Sequence, residues 1–324
     1  MDLKKKDWPL VSVITLCYNS GKYVVEALEC VQRQNYPNLQ HILIDDCSTD
    51  DSAAVLKHWI DENNYSCDFT VHKVNQGVQS SLKEAFAKVK GKYWVGISDD
   101  LWVENRLLED VALFESLDES YAMIYGDTSM IDKDNNIIAP SMFEELRGKN
   151  YTPPTGNIFR DVVFDFYFFI QSSIISQKHF LEMNYAFSDS IISEDWAWQL
   201  WLSRNYKVLG LPQVRSYYRR LDTSITQTNW TRDRKHTVLI SHFEMMAPYY
   251  DHPKNTDEEK LIIYHRLLRI YDDISELPNF SRKDELRMMW NLFRYTRKRY
   301  ALRRIVRALI TGRTRPESTQ IASV

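Results

Sequence analysis

Residues 10–46 read LVSVITLCYNSGKYVVEALECVQRQNYPNLQHILIDD, and the alternation inside this stretch decides the fold. Residues 10–16 form a β-branched apolar run, the pattern of a buried strand. In residues 20–34 the apolar positions Val24, Ala27, Leu28 and Val31 fall at helical spacing. Residues 40–44 are a second apolar run, and it stops on Asp45 and Asp46. Strand, helix and strand joined by short links predict a crossover unit with two parallel strands.

The same grammar continues outward. Ser48-Thr49-Asp50-Asp51 is the composition of a helix start, with Asp50 as the expected cap, and it leads into a helix over 53–60. A third strand is predicted over 69–74 and a helix over 78–89, stopped by Gly91. A fourth strand over 93–97 runs directly into Ser98-Asp99-Asp100, and another helix follows over 103–117. Repeated strand-then-helix units predict an α/β fold with a mostly parallel sheet flanked by helices. In open sheets of this kind, ligands sit beyond the carboxyl ends of the strands. Here those ends carry Cys17-Tyr18-Asn19, Asp45-Asp46 and Ser98-Asp99-Asp100, so a carboxylate-rich edge with one aromatic is expected, Asp50 included.

Farther along, strands are predicted over 121–127 and 129–132, with a turn at Asp134-Asn135-Asn136 closing a hairpin onto Ile137-Ile138. A Pro- and Gly-containing loop covers 151–156, and a strand covers 170–176. A Trp-rich helix over 194–203 places Trp198, Trp201 and Leu202 on one side, and short strands follow over 208–211 and 214–218. After Thr226 only helical patterns remain, from 231 to about 310. The expected division is an α/β domain at 1–230 and an all-helical, basic, amphipathic extension at 231–324.

Composition narrows the function classes. With 44% hydrophobic and 26% charged residues in 324, the chain is neither disordered, collagenous nor a coiled coil. Its net charge of −3 excludes a uniformly basic nucleic-acid coat, and no nucleic-acid recognition module is present. That charge hides an asymmetry, −10 up to Trp230 and +7 from Thr231 onward, so different partners are expected for the two parts. No run reaches the ~18 apolar residues of a membrane span. The N-terminal MDLKKKDWPLV has no apolar core before Pro9, so no signal peptide is predicted and a cytoplasmic location is expected. Cysteines 17, 30, 47 and 67 form no CxxC pair and the histidines are scattered, which predicts small buried thiols rather than a zinc site. The link CYNSGKY after the first strand has one glycine, which argues against both the dinucleotide fingerprint and the P-loop.

Asp99 and Asp100 carry the first chemical hypothesis. Two adjacent carboxylates at a strand end suit one hard divalent cation, Mg²⁺ or Mn²⁺, which favours oxygen ligands and keeps sites for phosphate. Such a cation stabilises a departing diphosphate. The pair also suits a solvated helix cap, and by itself it decides nothing.

Three longer segments decide more. Residues 9–52, PLVSVITLCYNSGKYVVEALECVQRQNYPNLQHILIDDCSTDDS, resemble the opening of family 2 glycosyltransferases, inverting enzymes of the GT-A (Rossmann-like) fold. Residues 75–111, NQGVQSSLKEAFAKVKGKYWVGISDDLWVENRLLEDV, resemble the family's Asn-x-Gly turn, Gly-Lys-Tyr strand entry and Asp-Asp exit. Residues 191–220, IISEDWAWQLWLSRNYKVLGLPQVRSYYRR, resemble its Glu-Asp helix and Tyr-Arg tail. Within the family the chain looks closest to spore-coat and capsule polysaccharide transferases.

The resemblance implies roles. Cys17 and Tyr18 face the nucleotide base, with Tyr18 stacked on it, and Asp46 bonds the base edge, with Asp45 as the alternative reader. Asp99 meets the ribose or the metal and Asp100 the metal. Asp195 is the general base on the acceptor hydroxyl, with Glu194 as a supporting carboxylate beside it; both acids equally suit a helix N-terminus. The implied donor is a UDP- or dTDP-linked sugar, the implied acceptor a glycan or lipid-linked hydroxyl, and the implied process cell-surface polysaccharide synthesis. A non-catalytic scaffold of the same fold is the alternative, and a nucleotidyltransferase fits CYNSGKY poorly.

Departures from the pattern are specific. Ile97 stands where the family's metal motif often has its first Asp. Leu82, with Lys83 beside it, replaces a frequent Arg, and Leu221 replaces a late His beside Arg219 and Arg220, which are candidates for a diphosphate contact. The aromatic cluster at 164–169 and Trp196, Trp198 and Trp201 suit either a core or an acceptor cleft. Residues 282–315 hold 12 basic residues, with Leu286, Met289, Trp290 and Phe293 and then Leu302, Ile305, Val306 and Leu309 at helical spacing. This pattern suits an anionic membrane surface at the cytoplasmic face of the inner membrane, or two helices packed on the domain.

Overall fold

In the computed structural model the described residues are 8–164, 168–183, 191–221 and 232–297, with 301, 303, 305 and 306. The chain divides into two compact units, Met1–Asp189 with Glu194–Leu221, and Ser190–Ser193 with Asp222–Val324.

The first unit opens with the predicted alternation. The strands β1 (Val11–Cys17), β2 (Leu39–Asp45), β3 (Asp68–Val71) and β4 (Tyr93–Gly96) are separated by helices α1 (Gly21–Gln32), α2 (Ser52–Glu62) and α3 (Val78–Lys88). β1 pairs in parallel with β2 on one side and β4 on the other, and β2 pairs in parallel with β3. The reason is the pattern itself: β1 and β2 are buried along most of their length, so both faces need a covering helix. Gly91 is fixed by space, because a Cβ there would lie 2.6 Å from the Ser12 amide nitrogen.

Beyond β4 the chain departs from simple alternation. A two-residue strand β5 (Leu101–Trp102) follows the Asp-Asp turn, so α4 starts at Arg106 (Arg106–Phe114) rather than at the predicted 103. The strands expected at 121–127 and 129–132 are one strand, β6 (Tyr121–Ile131), which forms the predicted hairpin with β7 (Ile137–Ala139). Short helices α5 (Met142–Arg147) and α6 (Phe159–Phe164) were not legible as periodicity, being only six residues each. A 3₁₀ turn (Ile170–Ser172) precedes β8 (Ser173–Ser176) and α7 (Gln177–Phe180). The Trp-rich helix is α8 (Glu194–Asn205). The two short strands expected around Pro212 are one long strand, β9 (Lys207–Arg219), and its pairing with β6 slips between Gly126 and Asp127. Pro212 has no N–H to donate, so the strand bulges there and then continues.

The sheet order is β3-β2-β1-β4-β8-β6-β9-β5 with β7 beside β6, and β8 runs antiparallel to β4 and β6. This is the mostly parallel α/β architecture expected.

A buried ion network ties its far half together. Arg106, fully buried, donates from Nε to Asp110 Oδ2 at 2.9 Å, from Nη2 to the Ser173 carbonyl at 2.7 Å and from Nη1 to the Gln171 carbonyl. Arg215 lies 3.3 Å from the other Asp110 oxygen and donates to Glu109 at 2.5 Å.

The second unit is helical: α9 (Arg232–Met246), a 3₁₀ turn (Ala247–Asp251), α10 (Asp257–Ser275) and α11 (Arg282–Thr296). Thr256 and Ser281 close capping boxes with Glu259 and Asp284. On α11 the buried stripe is Glu285, Met288, Met289, Leu292 and Thr296, one step from the predicted one. Trp290 therefore points outward, 56% exposed, because the unit's own core takes the neighbouring face. Within the predicted aromatic cluster, 165–167 lie outside the described residues, as do Leu302 and Leu309 of the tail. Among the described residues no helix is long and apolar enough to cross a membrane.

Removing the carboxylate from the buried network leaves Arg106 uncompensated. Asp110→Ala is expected to cost about 3–5 kcal/mol of folding stability, measured from urea denaturation midpoints, whereas the surface pair variant Lys57→Ala is expected to cost under about 1 kcal/mol.

Candidate active site

β1 and β4 end side by side, with the Ile97 amide donating to the Ile14 carbonyl at 3.0 Å. The chain then turns through Ser98, Asp99 and Asp100. β5 pairs with β9 at Tyr217 and Ser216, which brings Arg219 against the turn. The Arg219 amide donates to Asp100 Oδ1 at 2.8 Å, and its Nε donates to the Asp99 carbonyl at 2.9 Å. Its other nitrogens reach Asn135 Oδ1 at 2.6 Å and Glu26 Oε2 at 2.8 Å, and its guanidinium lies 4.6 Å from the Tyr23 ring centre. Arg219 is 1% exposed. The expectation of a diphosphate-contacting Arg219 is therefore corrected: its donors are committed to bracing the turn. Arg220 is exposed beyond the end of β9.

A cavity of about 170 Å³ lies beside this turn. Its apolar walls come from Ile14 and Leu16 of β1, Val78 and Leu82 of α3, Trp94 of β4, Ile97 and Trp198. Its polar groups include Asp100, Gln171, Glu194 and Asp195. So Asp100 and Asp195, 95 residues apart in sequence, line one cavity. α8 presents the two acids in its first turn. The helix is anchored by Trp196 Nε1, which donates to the Val162 carbonyl at 2.9 Å, and by Trp198, which packs edge-on to Trp94, Phe86 and Phe180. The Trp-rich face is thus mainly core, with Trp198 also lining the cavity. Asp195 Oδ1 accepts the Trp196 amide at 2.8 Å, and Glu194 Oε2 accepts Gln79 Nε2 at 3.1 Å.

The carboxylates here are held in their neutral form more than usual. Burial, then the Asp195 charge, pushes Glu194 up to about 8, and burial raises Asp195. Burial also raises Asp99, and burial with the Asp99 charge raises Asp100 further, against the pull of Arg219.

Two adjacent carboxylates destabilised in this way fit a divalent cation. Arg219 occupies Asp100 Oδ1, and no described residue donates a hydrogen bond to Oδ2. Among the described residues no cluster of three or more His, Cys, Asp or Glu groups forms a metal site. Asp99 and Asp100 would hold Mn²⁺ or Mg²⁺ with remaining ligands from diphosphate and water, the usual habit of a hard cation beside phosphate.

The other predicted site residues go to different places. Tyr18 is 49% exposed at the end of β1, on the expected edge. Cys17 is not on that edge: its side chain is 1% exposed and packs with Val24, Leu28, Leu43, Leu56 and Trp59. β1 ends at Cys17, and Tyr18 lies in the bend just beyond it, which leaves one side chain in the core and the other exposed. Asp45 closes the following turn, accepting the Ser48 amide at 2.9 Å and its hydroxyl at 2.5 Å. Asp50, expected as the cap, stands one residue before it: the cap position of α2 is Asp51, and Asp50 accepts the Ser52 amide at 3.0 Å. Lys83 is exposed on α3, whereas Leu82 faces the cavity.

Asp46 is also corrected. It is 6% exposed, and its oxygens accept the Gln76 amide at 2.8 Å, the Gly77 amide at 2.7 Å and His72 Nδ1 at 2.8 Å. It shapes the segment leading into α3 and has little capacity left for a base edge. Gly77 has φ +81°, a conformation that glycine adopts without strain. His72 Nε2 continues the chain to Glu84 Oε2 at 3.0 Å. Sequence spacing gave no signal for this clamp or for Gln79 and Gln171, because each depends on loops brought together by the sheet.

Comparison with known proteins agrees with this geometry. A profile described as "Glycosyl transferase family 2" matches residues 12–176. The chain belongs to glycosyltransferase family 2. A putative teichuronic acid biosynthesis glycosyltransferase, TuaG of Bacillus subtilis, is 30% identical over 133 residues, 39% of this chain and 49% of that protein. The matched stretches span from 19% to 49% of the length of such curated relatives. Among solved structures, the mannosyltransferase PcManGT from Pyrobaculum calidifontis, in complex with GDP-Man and Mn²⁺, superposes with a TM-score of 0.55 at 18% identity, covering 94% of this chain and 76% of that one. S. aureus TarS 1–349 in complex with UDP-GlcNAc superposes with a TM-score of 0.60 at 16% identity, covering 91% and 88%. These likenesses establish the GT-A fold.

The clamp around His72 gives a pH signature. Burial pulls His72 down, but Asp46 and Glu84 hold it above the ordinary histidine value, and both acids are held low by it and by their other donors. A raised histidine stabilises the fold below its unfolded value and loses that contribution as pH rises through its folded one. Depressed carboxylates lose theirs as pH falls through the acid range. Urea midpoints measured from pH 5 to pH 9 are expected to decline toward alkaline pH in the native chain, and less steeply in His72→Gln.

Proposed function

We propose that the chain transfers a sugar from a nucleotide-sugar donor to an acceptor hydroxyl with inversion at the anomeric carbon. The single observation that carries this is the convergence of Asp100 and Asp195 on one cavity. In the proposed reaction Tyr18 stacks on the base, and Asp99 and Asp100 are the residues that would hold Mn²⁺ or Mg²⁺. The cation's contribution would be to neutralise charge on the departing nucleoside diphosphate. Asp195 takes the proton of the acceptor hydroxyl as that oxygen attacks the anomeric carbon, and the bond to the diphosphate breaks on the other side. Arg219 keeps the Asp99-Asp100 turn in place, and Gln79 orients Glu194.

The proposed donor is UDP- or dTDP-linked, and the proposed acceptor is a glycan or lipid-linked saccharide in cell-surface polysaccharide synthesis. A UDP-GlcNAc complex of TarS and the teichuronic acid relative support this class. The proposed location is cytoplasmic, at the membrane face, supported by exposed Trp290 among basic residues on α11.

Thermal unfolding with UDP, dTDP, GDP or CMP, with and without Mn²⁺, tests the donor site. One diphosphate is expected to raise the midpoint in a metal-dependent way, since a ligand bound only to the folded chain stabilises it. Asp100→Asn, which keeps an oxygen for the Arg219 amide, is expected to lose that shift. Asp195→Asn is expected to keep it while losing about 10²–10⁴-fold in transfer rate. Nucleotide binding without any transfer by the native chain would instead favour the scaffold reading that Ile97 motivates.

The acid pair also sets the pH profile of transfer. The base must be ionised, so activity rises with pH through the pair's elevated range. Burial, not the Glu194 charge, raises Asp195, and it is Glu194 that carries the cost of the Asp195 charge, so Glu194→Gln is expected to leave the acid limb of kcat/KM where it is.

A further inference from the structure

One residue of the cavity wall carries a hydrogen-bond donor with no acceptor among the described residues. Gln171 is 6% exposed and lines the cavity, and its Nε2 has no hydrogen-bond partner among the described residues. Trp94 Nε1, on another wall, is in the same state. Buried donors are almost always satisfied, so an orphan on a residue that lines a cavity points to a ligand as its acceptor. The backbone of Gln171 is not adjustable: its carbonyl accepts Trp102 Nε1 at 2.9 Å and Arg106 Nη1, so the 3₁₀ turn is pinned from behind. The side chain is therefore presented by a rigid element.

We infer that Gln171 is a specificity-determining residue that donates a hydrogen bond to an oxygen of the sugar being transferred. This rests on the transferase reading and adds the group that recognises the sugar rather than the nucleotide. The chemistry of the cavity selects a polyhydroxylated ring. Asp100, Glu194 and Asp195 supply acceptor oxygens, and Gln171 with Trp94 supplies donors. A sugar hydroxyl both donates and accepts, so a ring bearing several of them satisfies both sets. Ile97, Ile170 and Trp198 give the apolar surface that covers the ring's carbon face and keeps competing water out. A buried site built to bond a hydroxyl discriminates against a ligand lacking it, because the site's polar group is then left unpaired.

The test separates sugar from nucleotide. Calorimetry in the presence of Mn²⁺ gives Kd for UDP and UDP-GlcNAc, and for GDP and GDP-mannose. For the pair that binds, the ratio of the diphosphate Kd to the nucleotide-sugar Kd is expected to fall about three- to tenfold in Gln171→Leu. The Kd of the diphosphate alone is expected to stay within about twofold, which also reports that the variant is folded. In turnover, the KM for the donor is expected to rise in Gln171→Leu. An unchanged ratio would overturn the inference while leaving the transferase reading intact. A native chain that binds neither these four nucleotides nor dTDP would overturn both.

Discussion

One buried guanidinium holds the candidate site in register. Arg219 ends β9, and from there it bonds the carboxylate of Asp100 through its amide and the carbonyl of Asp99 through its side chain. The same group reaches Glu26 of α1 and Asn135 of the β6–β7 turn. A charge taken fully out of water is expensive and persists only when every donor is paired. That condition fixes the geometry: the turn after β4, the first helix and the hairpin cannot move independently without stranding an arginine donor. The Arg219 charge also opposes, without cancelling, the burial that raises Asp99 and Asp100. Arginine suits this position through its planar fork of donors, which a lysine would not reproduce.

Arg106 does for the back of the cavity what Arg219 does for the front. It joins α4 to the 3₁₀ turn and to β8 through two carbonyls and Asp110. The turn it pins carries Gln171. The aromatic packing of Trp198 on Trp94, Phe86 and Phe180 does the equivalent for α8, whose first turn carries Glu194 and Asp195. Each polar group in the cavity is therefore mounted on an element held by a buried, satisfied interaction. That arrangement suits chemistry by positioning, in which groups must be in place before charge develops. The surface pairs, such as Lys57 with Asp61, have no such role.

The family match and the structure agree on architecture, while the residues say where this chain differs. Ile97 lies in the core and lines the cavity, so an apolar side chain precedes the Asp99-Asp100 pair there. Leu82 likewise presents an apolar side chain where a basic one is frequent, and Lys83 beside it faces outward. The cavity is thus apolar near α3, and its polar wall comes from Ser98, Asp100, Gln171 and the acid pair.

The sequence by itself determined the alternating half of the fold, the carboxylate edge and the acid pair on α8. These depend on local signals: apolar runs of strand length, helical spacing and carboxylates placed directly at element ends. It did not determine which member of each adjacent pair serves the cavity. Cys17 and Tyr18 are neighbours, yet one is core and the other edge, because β1 ends between them. Asp45 and Asp46 read as rival base readers, yet loops from two directions take them both as turn and clamp groups. Arg219 read as a candidate diphosphate contact, but β5 pairing with β9 carries it against the Asp99-Asp100 turn. Gln79, Gln171 and His72 had no signal at all, since their partners lie in distant segments. Only tertiary structure decides such roles, because a hydrogen bond or a desolvated charge depends on what is brought near a residue, and periodicity records only which face of its own element it occupies.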